Sequence, residues 1–120
     1  AARQNSRHYE AFASLGYAQR KVGDFTSSLK SYDRALKMKP DYPEALEYRA
    51  EAYLGLNRLE DAKADYEKLA RIDKGHARKF LVAATEWVQE GDASGEVLAA
   101  FLRWVERAKT DLGPGEDKAW

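Results

Sequence analysis

The sequence predicts an all-α protein in which antiparallel helix pairs stack side by side as a solenoid. Three observations predict this fold class. Apolar residues recur at the spacing of amphipathic helices along most of the 120 residues. A weak internal repeat has a period of 34 residues. Glycine, proline and aspartate mark turns between the apolar stretches. We therefore expect each period to form one helix–turn–helix unit.

A shift of 34 residues superimposes residues of the same type. The identical pairs are Glu10 with Glu44, Ala11 with Ala45, Ala18 with Ala52 and Tyr32 with Tyr66. Pairs of similar class include Phe12 with Leu46, Val22 with Leu56, Phe25 with Leu59 and Met38 with Ile72. A second shift of the same length brings Leu46 onto Phe80 and Tyr53 onto Trp87. The repeat is degenerate, because few positions are identical, but it continues through three periods.

Within a period, the apolar residues form two stripes separated by a turn. The first pair has Phe12, Leu15, Gln19 and Val22, then Phe25, Leu29, Tyr32, Leu36 and Met38. The second pair has Leu46, Ala50 and Tyr53, then Leu59, Ala62, Tyr66, Leu69 and Ile72. The next stripe is Phe80, Ala83, Ala84, Trp87 and Val88. The predicted breaks are Gly23-Asp24, Pro40 with Pro43, Gly55-Leu56-Asn57, Lys74-Gly75 and Gly91-Asp92.

Small residues in the stripes predict where helices approach each other closely. Gly16, Ala50 and Ala84 are spaced by 34 residues, and Ser28 and Ala62 occupy the facing helix of their pairs. Two helices joined by a short turn can pack closely only where a bulky side chain is missing. A single pair cannot bury its apolar face alone, so stacking of successive pairs is required.

The last segment, roughly Ser94–Leu112, departs from the repeat. Its apolar face still has helical spacing and consists of Val97, Phe101, Trp104, Val105, Ala108 and Leu112. We expect a longer closing helix that caps the stack with a more polar outer side. Gly113-Pro114-Gly115 ends this helix, and Glu116–Trp120 is predicted to be a mobile tail.

These motifs resemble the tetratricopeptide repeat family, whose pattern is aromatic-x2-Leu-Gly-x2-Tyr, Ala-x3-aromatic and then Pro. The matching residues of the first repeat are Phe12, Leu15, Gly16, Ser28, Tyr32 and Pro40, with Gln19 in place of the tyrosine. Those of the second are Leu46, Ala50, Tyr53, Ala62 and Tyr66, with Lys74 in place of the proline; those of the third are Phe80, Ala84 and Trp87. The resemblance implies a right-handed superhelical α-solenoid that forms one domain over residues 1–120. Its repeats would cover about residues 9–42, 43–76 and 77–112, followed by a tail over 113–120.

The resemblance also implies a function, because the first helix of each pair in this family lines a concave groove that holds a peptide or a helix. The side chains implied for the groove are Ala13, Tyr17, Arg20, Glu44, Glu47, Tyr48, Glu51, Arg78, Leu81, Val82 and Thr85. Tyr17 and Tyr48 would be anchors, and Glu47 with Glu51 would form a negative stripe suited to a basic or mixed-charge peptide. Alternatively, the tyrosines pack on a neighbouring helix and the glutamates are plain solvated charges.

One family subtype, which clamps a carboxylate of a chaperone, is not expected. That clamp needs several converging cationic or amide donors, and of the matching positions only Arg78 fits.

Charge and composition exclude further function classes. Twenty basic and 20 acidic residues give zero net charge, so nothing attracts the chain as a whole to nucleic acid or an anionic membrane. The charges form blocks of +5, −5, +4 and −4 over residues 1–39, 40–67, 68–79 and 80–120. With no cysteine, disulfides and thiolate metal sites are excluded, while the cellular compartment stays open. No apolar run approaches the length of a membrane span.

No set of residues predicts catalysis, a metal or a cofactor. His8 and His76 are expected in surface turns, and Asp61 and Asp65 on a solvated face shared with Lys63 and Lys68. No phosphate loop or nucleophile–base set can be assembled. We therefore expect a non-enzymatic interaction module.

Two alternatives stay open beside the peptide-binding module. The first is a structural segment that stacks on copies of itself or on flanking repeats of a longer chain. The chain does not begin with Met, and Ala1-Ala2 lies in phase with Ala35-Leu36, so we expect a processed or trimmed form with upstream repeats as one option. The second is a less favoured RNA-contacting repeat that uses the basic residues Lys68, Arg71, Lys74, Arg78 and Lys79.

Overall fold

The structure, a computed structural model, describes residues 8–91 and 95–115. These residues contain six helices and no strand, which confirms the all-α prediction. The helices are α1 (His8–Lys21), α2 (Phe25–Met38), α3 (Pro43–Gly55), α4 (Leu59–Ile72), α5 (Lys74–Glu90) and α6 (Glu96–Leu112). The predictions for a helix end before residue 8, for the turn at Asp92 and for the tail from residue 116 lie outside the described residues.

The helices are arranged as a stack of antiparallel pairs. Each helix packs on the next one along the chain, and α3 also packs on both α1 and α5. The molecule measures 49 × 31 × 21 Å along its principal axes, an elongated shape that suits a row of pairs. The predicted solenoid of stacked helix pairs is therefore present. The repeat boundaries and the handedness of the superhelix stay predictions.

Local sequence signals set most helix ends. The turn after α1 contains Gly23, whose φ of 87° favours glycine, and the Asp24 carboxylate caps α2 by accepting from the Ser27 N–H at 3.2 Å. One prediction about helix ends is wrong. Lys74-Gly75 does not end α4 but begins α5, because Asp73 caps α5 by accepting from the His76 N–H at 2.9 Å.

Close approach of α1 and α2 depends on Gly16. A Cβ atom at this position would lie 2.6 Å from a ring carbon of Tyr32, which is completely buried. The Ser28 hydroxyl donates to the Gly16 carbonyl oxygen at 2.9 Å, so the predicted small residues meet at this crossing. Other buried side chains fill the space between the pairs: Leu46, Leu69, Phe80, Leu81, Phe101 and Val105.

The predicted apolar stripe of α1 is wrong at two positions. Leu15 is 47% exposed and Val22 is 82% exposed, whereas Ala13 and Gly16 are the buried residues of this helix. Val22 lies just beyond the end of α1, and Leu15 is on a side of α1 that α2 and α3, the helices packed on it, leave uncovered. A 3.6-residue period identifies apolar positions but does not say which neighbour covers them.

Arg49 in α3 connects three helices. Its guanidinium donates to both carboxylate oxygens of Asp65 in α4, at 2.6 and 2.8 Å, and to Asp33 in α2 at 2.9 Å. Asp65 is buried, so the predicted solvated face is wrong for this residue. Burial on its own would lower the pKa of Arg49, but the hydrogen bonds to Asp65 and its charge raise that pKa. Arg49 therefore fixes α3 between its two neighbours as a permanent cation.

The predicted closing helix is α6. Its buried residues are Phe101, Val105 and Ala108, while Val97 of the predicted face is 72% exposed. The ring of Phe101 contacts that of Trp87 in α5, with centroids 5.6 Å apart. Arg103 and Glu96 pair on the outer surface at 2.9 Å, which gives the helix the polar outer side expected of a cap.

Replacement of Gly16 by alanine should destabilise the protein by about 1–3 kcal/mol, because the new Cβ overlaps the buried Tyr32 ring. Urea unfolding followed by circular dichroism measures this free energy. In a Tyr32→Leu background the ring is gone, and Gly16→Ala should then be neutral or stabilising by up to about 1 kcal/mol through helix propensity. A stabilising effect of Gly16→Ala in the otherwise unchanged protein would contradict the close approach.

Candidate protein-binding face

The eleven residues predicted for the groove lie on α1, α3 and α5, but the structure brings only some of them together. Tyr17 and Arg20 in α1 meet the side chains of α3, which carries Glu44, Glu47, Tyr48 and Glu51. The α5 residues are separate. Arg78 donates to the Gly113 carbonyl oxygen at 3.2 Å, and the Thr85 hydroxyl donates to the carbonyl oxygen of Leu81 at 2.9 Å.

The prediction that Leu81 is a surface residue of the groove is wrong. Its side chain is fully buried in the core cluster that also contains Phe80 and Ala84, because α5 packs on α3 through this face. A buried leucine offers no contact area to a ligand. The surface considered below therefore omits Leu81.

Two tyrosine rings form the centre of the face. The ring centroids of Tyr17 and Tyr48 are 5.2 Å apart, and Tyr48 also lies 6.3 Å from the buried ring of Tyr32. The guanidinium carbon of Arg20 is 5.3 Å from the Tyr17 centroid and 6.0 Å from that of Tyr48. Burial raises the pKa of the Tyr48 hydroxyl, and Glu47 adds to the shift, so this phenol is a hydrogen-bond donor at neutral pH. Tyr48 is half-buried, whereas Tyr17 is 38% exposed.

A cavity of about 310 Å³ opens between α1 and α3 beside these rings. Its lining residues are Ala13, Ser14, Tyr17, Tyr42, Glu44 and Tyr48. Burial raises the pKa of Tyr42, and its hydrogen bond with Glu44 raises it further. The phenol of Tyr42 therefore stays protonated and holds the Glu44 carboxylate at the rim of the cavity.

His76 connects α5 to α3 through two carboxylates. Its Nε2 lies 3.0 Å from a carboxylate oxygen of Glu44, and its Nδ1 lies 2.6 Å from one of Glu47. Both ring nitrogens are thus within hydrogen-bond distance of a carboxyl group of α3. The prediction of an ordinary surface-turn histidine is therefore wrong. Its chain position gave no hint of this, because Glu47 is 29 residues away in sequence.

The acidic stripe of α3 is largely buried rather than solvated. Glu47 is buried, and the Glu51 side chain is 15% exposed with its carboxylate 3.4 Å from Arg20. Burial raises the pKa of Glu51 to about 8, opposed by Arg20 and reinforced by a hydrogen bond with Glu47. At neutral pH Glu51 is mostly protonated, and Glu47 contacts the His76 ring at 2.6 Å. The interpretation as plain solvated charges is wrong for these two residues.

A comparison with known protein families identifies the fold. A family model described as tetratricopeptide repeat matches residues 13–77, more than half of the chain. The chain belongs to the tetratricopeptide repeat family. Members of this family in general mediate protein–protein interaction and are in general non-catalytic.

One relative is the TPR repeat-containing thioredoxin TTL4 of Arabidopsis thaliana, which is 39% identical to this chain over 84 residues. The match covers 70% of this chain and 12% of that protein, so the tetratricopeptide chain spans a small part of the relative's length. No solved structure matches the chain.

A second cavity, of about 240 Å³, adds residues to the tetratricopeptide face that sequence reasoning missed. It is lined by Arg20, Phe25, Glu51, Leu54, Gly55, Ala83, Glu86, Trp87 and Glu90. Arg20 contributes to this cavity and also covers Tyr17 of the first one, so the two cavities are neighbours. Glu86 and Glu90 are exposed and lie one turn apart on α5. That spacing was visible in the sequence, but the packing that directs it toward Arg20 was not.

Four of the five basic residues considered for RNA contact are bonded to a carbonyl oxygen or line a cavity that also contains acidic side chains. Lys68 donates to the Pro40 carbonyl oxygen at 2.7 Å, and Arg78 is bonded to Gly113. Arg71 and Lys74 line a cavity of about 470 Å³ between α4 and α6, together with acidic side chains from both helices. We therefore do not propose RNA contact for these residues.

Two further searches concern the described residues alone. Within residues 8–91 and 95–115, no three His, Asp or Glu side chains are placed to share a metal ion. None of the described helices has the length and apolar character that crossing a bilayer requires.

The raised pKa of Glu51 predicts a pH-dependent stability. A folded-state pKa of about 8 above the ordinary 4.5 favours the protonated form in the folded state. The resulting contribution is full below about pH 4.5 and is lost as the pH rises through about 8, a loss on the order of a few kcal/mol. Urea unfolding free energies at about pH 5, 7 and 9 should therefore fall more steeply for the wild type than for Glu51→Gln.

The matched control for this prediction is Glu60→Gln. Glu60 is 87% exposed and pairs with Lys63 on the surface, so its replacement should leave the slope of stability against pH unchanged. Parallel slopes for the wild type and Glu51→Gln would show that the Glu51 carboxyl ionises as in an ordinary exposed glutamate.

Proposed function

We propose that this tetratricopeptide chain is a non-catalytic protein-interaction module that holds a peptide segment of a partner on the face formed by α1, α3 and α5. The observation that carries the proposal is the cavity of about 310 Å³ whose wall contains the Tyr17–Tyr48 pair. The general behaviour of the family supports it, since these repeats mediate protein–protein interaction. The relative's name describes a thioredoxin, and no such activity is transferred to this chain.

The tyrosine pair is the proposed anchor. Tyr48 is fixed by its contact with the buried Tyr32 ring, and Tyr17 stands beside it with part of its ring open to solvent. Arg20 covers both rings, which limits their rotation. Rigid aromatic side chains lose little entropy on binding and bury a large area, so they act as hot spots. A partner side chain of apolar or aromatic type would fill the space beside them.

The charges near the two cavities favour a partner with basic residues. Glu44 is at the rim of the first cavity, and Glu86 and Glu90 are exposed at the second. Together these three glutamates outnumber Arg20, whose guanidinium lies beside Tyr17 and lines the second cavity. A peptide that places a Lys or Arg on one or both sides of its apolar anchor would therefore match the face. This assignment refines the basic or mixed-charge ligand expected from the sequence.

The test uses synthetic peptides whose sequence is selected on a peptide array. Each is made in two versions with the same aromatic anchor residue, which is flanked by lysines in one version and by glutamates in the other. Fluorescence anisotropy with the wild type should show tighter binding of the lysine version. Tyr17→Ala should weaken this binding by at least about tenfold, because it removes half of the anchor wall. The double change Glu86→Lys with Glu90→Lys should reverse the preference between the two peptides.

Leu102→Ala is the matched control, because Leu102 in α6 has the same exposed fraction as Tyr17, 38%, and does not line either cavity. It should bind as the wild type does. Equal affinity for both peptide versions would remove the charge argument. Unchanged binding by Tyr17→Ala would remove the tyrosine pair as the anchor.

A further inference from the structure

One side of α1 is apolar and exposed. It carries Ala11, Leu15 and Ala18, and Val22 continues this line directly after the helix, because its N–H donates to the Ala18 carbonyl oxygen at 3.3 Å. We call these four exposed residues the α1 flank. Their spacing of four, three and four residues places them in one line along the helix. Single exposed apolar residues are common, but a continuous apolar stripe on a helix indicates a contact surface.

The repeat register shows what covers the same positions elsewhere in the stack. Ala11 and Ala18 correspond, by the shift of 34 residues, to Ala45 and Ala52 in α3, and both of these are fully buried. Ala52 packs in a cluster with Leu29 and Tyr32 of the preceding helix α2. In α3 this flank is therefore covered by another helix. In α1 the equivalent flank is open among the described residues.

The other end of the stack is unsuited to cover it. The outer side of α6 exposes Glu96, Ala100, Arg103 and Arg107, with Glu96 and Arg103 joined by an ion pair. A head-to-tail contact between copies would press these charges against an apolar stripe and remove their water. The open flank of α1 therefore needs a different surface, and it is itself an apolar helix surface.

We propose that the α1 flank pairs with the α1 flank of a second copy of this chain, antiparallel, about a two-fold axis between Gly16 and Tyr17. In this arrangement Leu15 of each copy lies opposite Ala18 of the other, and Val22 lies opposite Ala11. Every large side chain meets a small one, so the two helices interdigitate. The three-and-four spacing is the one that suits helices crossing at a small angle. A two-fold contact of this kind is closed and forms a dimer.

The charges at the two ends of α1 agree with the antiparallel direction. Glu10 is in the first turn of the helix and Lys21 is in the last turn. An antiparallel pair places the first turn of each copy beside the last turn of the other, so opposite charges are neighbours and the two helix dipoles oppose each other. A parallel pair would bring like charges together.

Sedimentation velocity across a wide range of concentration tests the dimer with the chain as it is. The wild type should dimerise reversibly. Leu15→Glu should weaken the dimer by at least about tenfold, because it places a carboxylate at the apolar contact. The matched control is Val97→Glu, the same change at a residue that is 72% exposed on α6 and outside the α1 flank, and it should dimerise as the wild type does.

An exchange of side chains tests the register. Leu15→Ala should weaken the dimer because it leaves small side chains opposite each other, and Ala18→Leu should weaken it because it sets leucine against leucine. The double change Leu15→Ala with Ala18→Leu restores one large and one small residue at each contact. Its dissociation constant should return to within about threefold of the wild-type value. Both positions are exposed in the single chain, so the urea midpoints of dilute samples serve as a check of folding.

Three results would overturn the proposal. A wild type that is monomeric at every concentration would assign the α1 flank to a helix of another protein or of another segment. Equal loss of association in Leu15→Glu and Val97→Glu would show that the contact does not use this flank. Failure of the double exchange to restore what the single changes lose would exclude the antiparallel register.

Discussion

One constraint underlies the whole structure. The two helices of a pair have more apolar surface than they can bury against each other. The pair α1–α2 closes tightly at Gly16 and Tyr32, yet α2 still presents Leu29 and Tyr32 to the next helix, α3. The pair α3–α4 in turn adds α5. Each pair therefore leaves an apolar side that the next helix covers, and among the described helices α6 differs in having a polar outer side. The elongated shape follows from this rule and not from the identity of any single residue.

The same constraint explains why so many charged groups of the candidate site are buried. When pairs stack, side chains from three successive helices meet, and polar residues at these junctions must find partners or be excluded. Arg49 meets Asp33 and Asp65, and His76 meets Glu44 and Glu47. These pairs position α3 relative to its neighbours, and α3 supplies Tyr48 to the binding face. The charges that hold the stack together therefore also set the shape of the cavity beside Tyr17 and Tyr48.

Periodicity in the sequence predicted the class of fold, the turns near Gly23 and Asn57 and the close contact at Gly16, because these depend on spacing within one pair. It did not predict the surroundings of Asp65, His76 or Glu47. Their partners lie 16 to 29 residues away, and the pairing follows from how one helix pair sits on another. The stripe of α1 was misread for a related reason: Leu15 and Val22 have the right spacing for a core, but none of the six described helices covers them. Spacing shows which apolar side chains share one face of a helix. Only the packing of the helices shows which neighbour, if any, buries that face.

The two surfaces proposed for this chain use different sides of the same helix. Successive residues of an α-helix are separated by about 100° around its axis, so Tyr17 and Ala18 point in different directions although they are adjacent in sequence. Tyr17 contacts Tyr48 of α3, while Ala18 lies on the exposed flank. Pairing through the flank therefore leaves the cavity beside Tyr17 available in each copy, and the two-fold axis duplicates it. A partner with two suitable segments, or an assembly that displays many of them, would bind such a dimer more tightly than either segment binds alone, since the second contact forms at a high effective concentration. With such a bivalent partner, the proposed self-association and peptide binding would reinforce each other, because the α1 flank and the first cavity use different residues of α1.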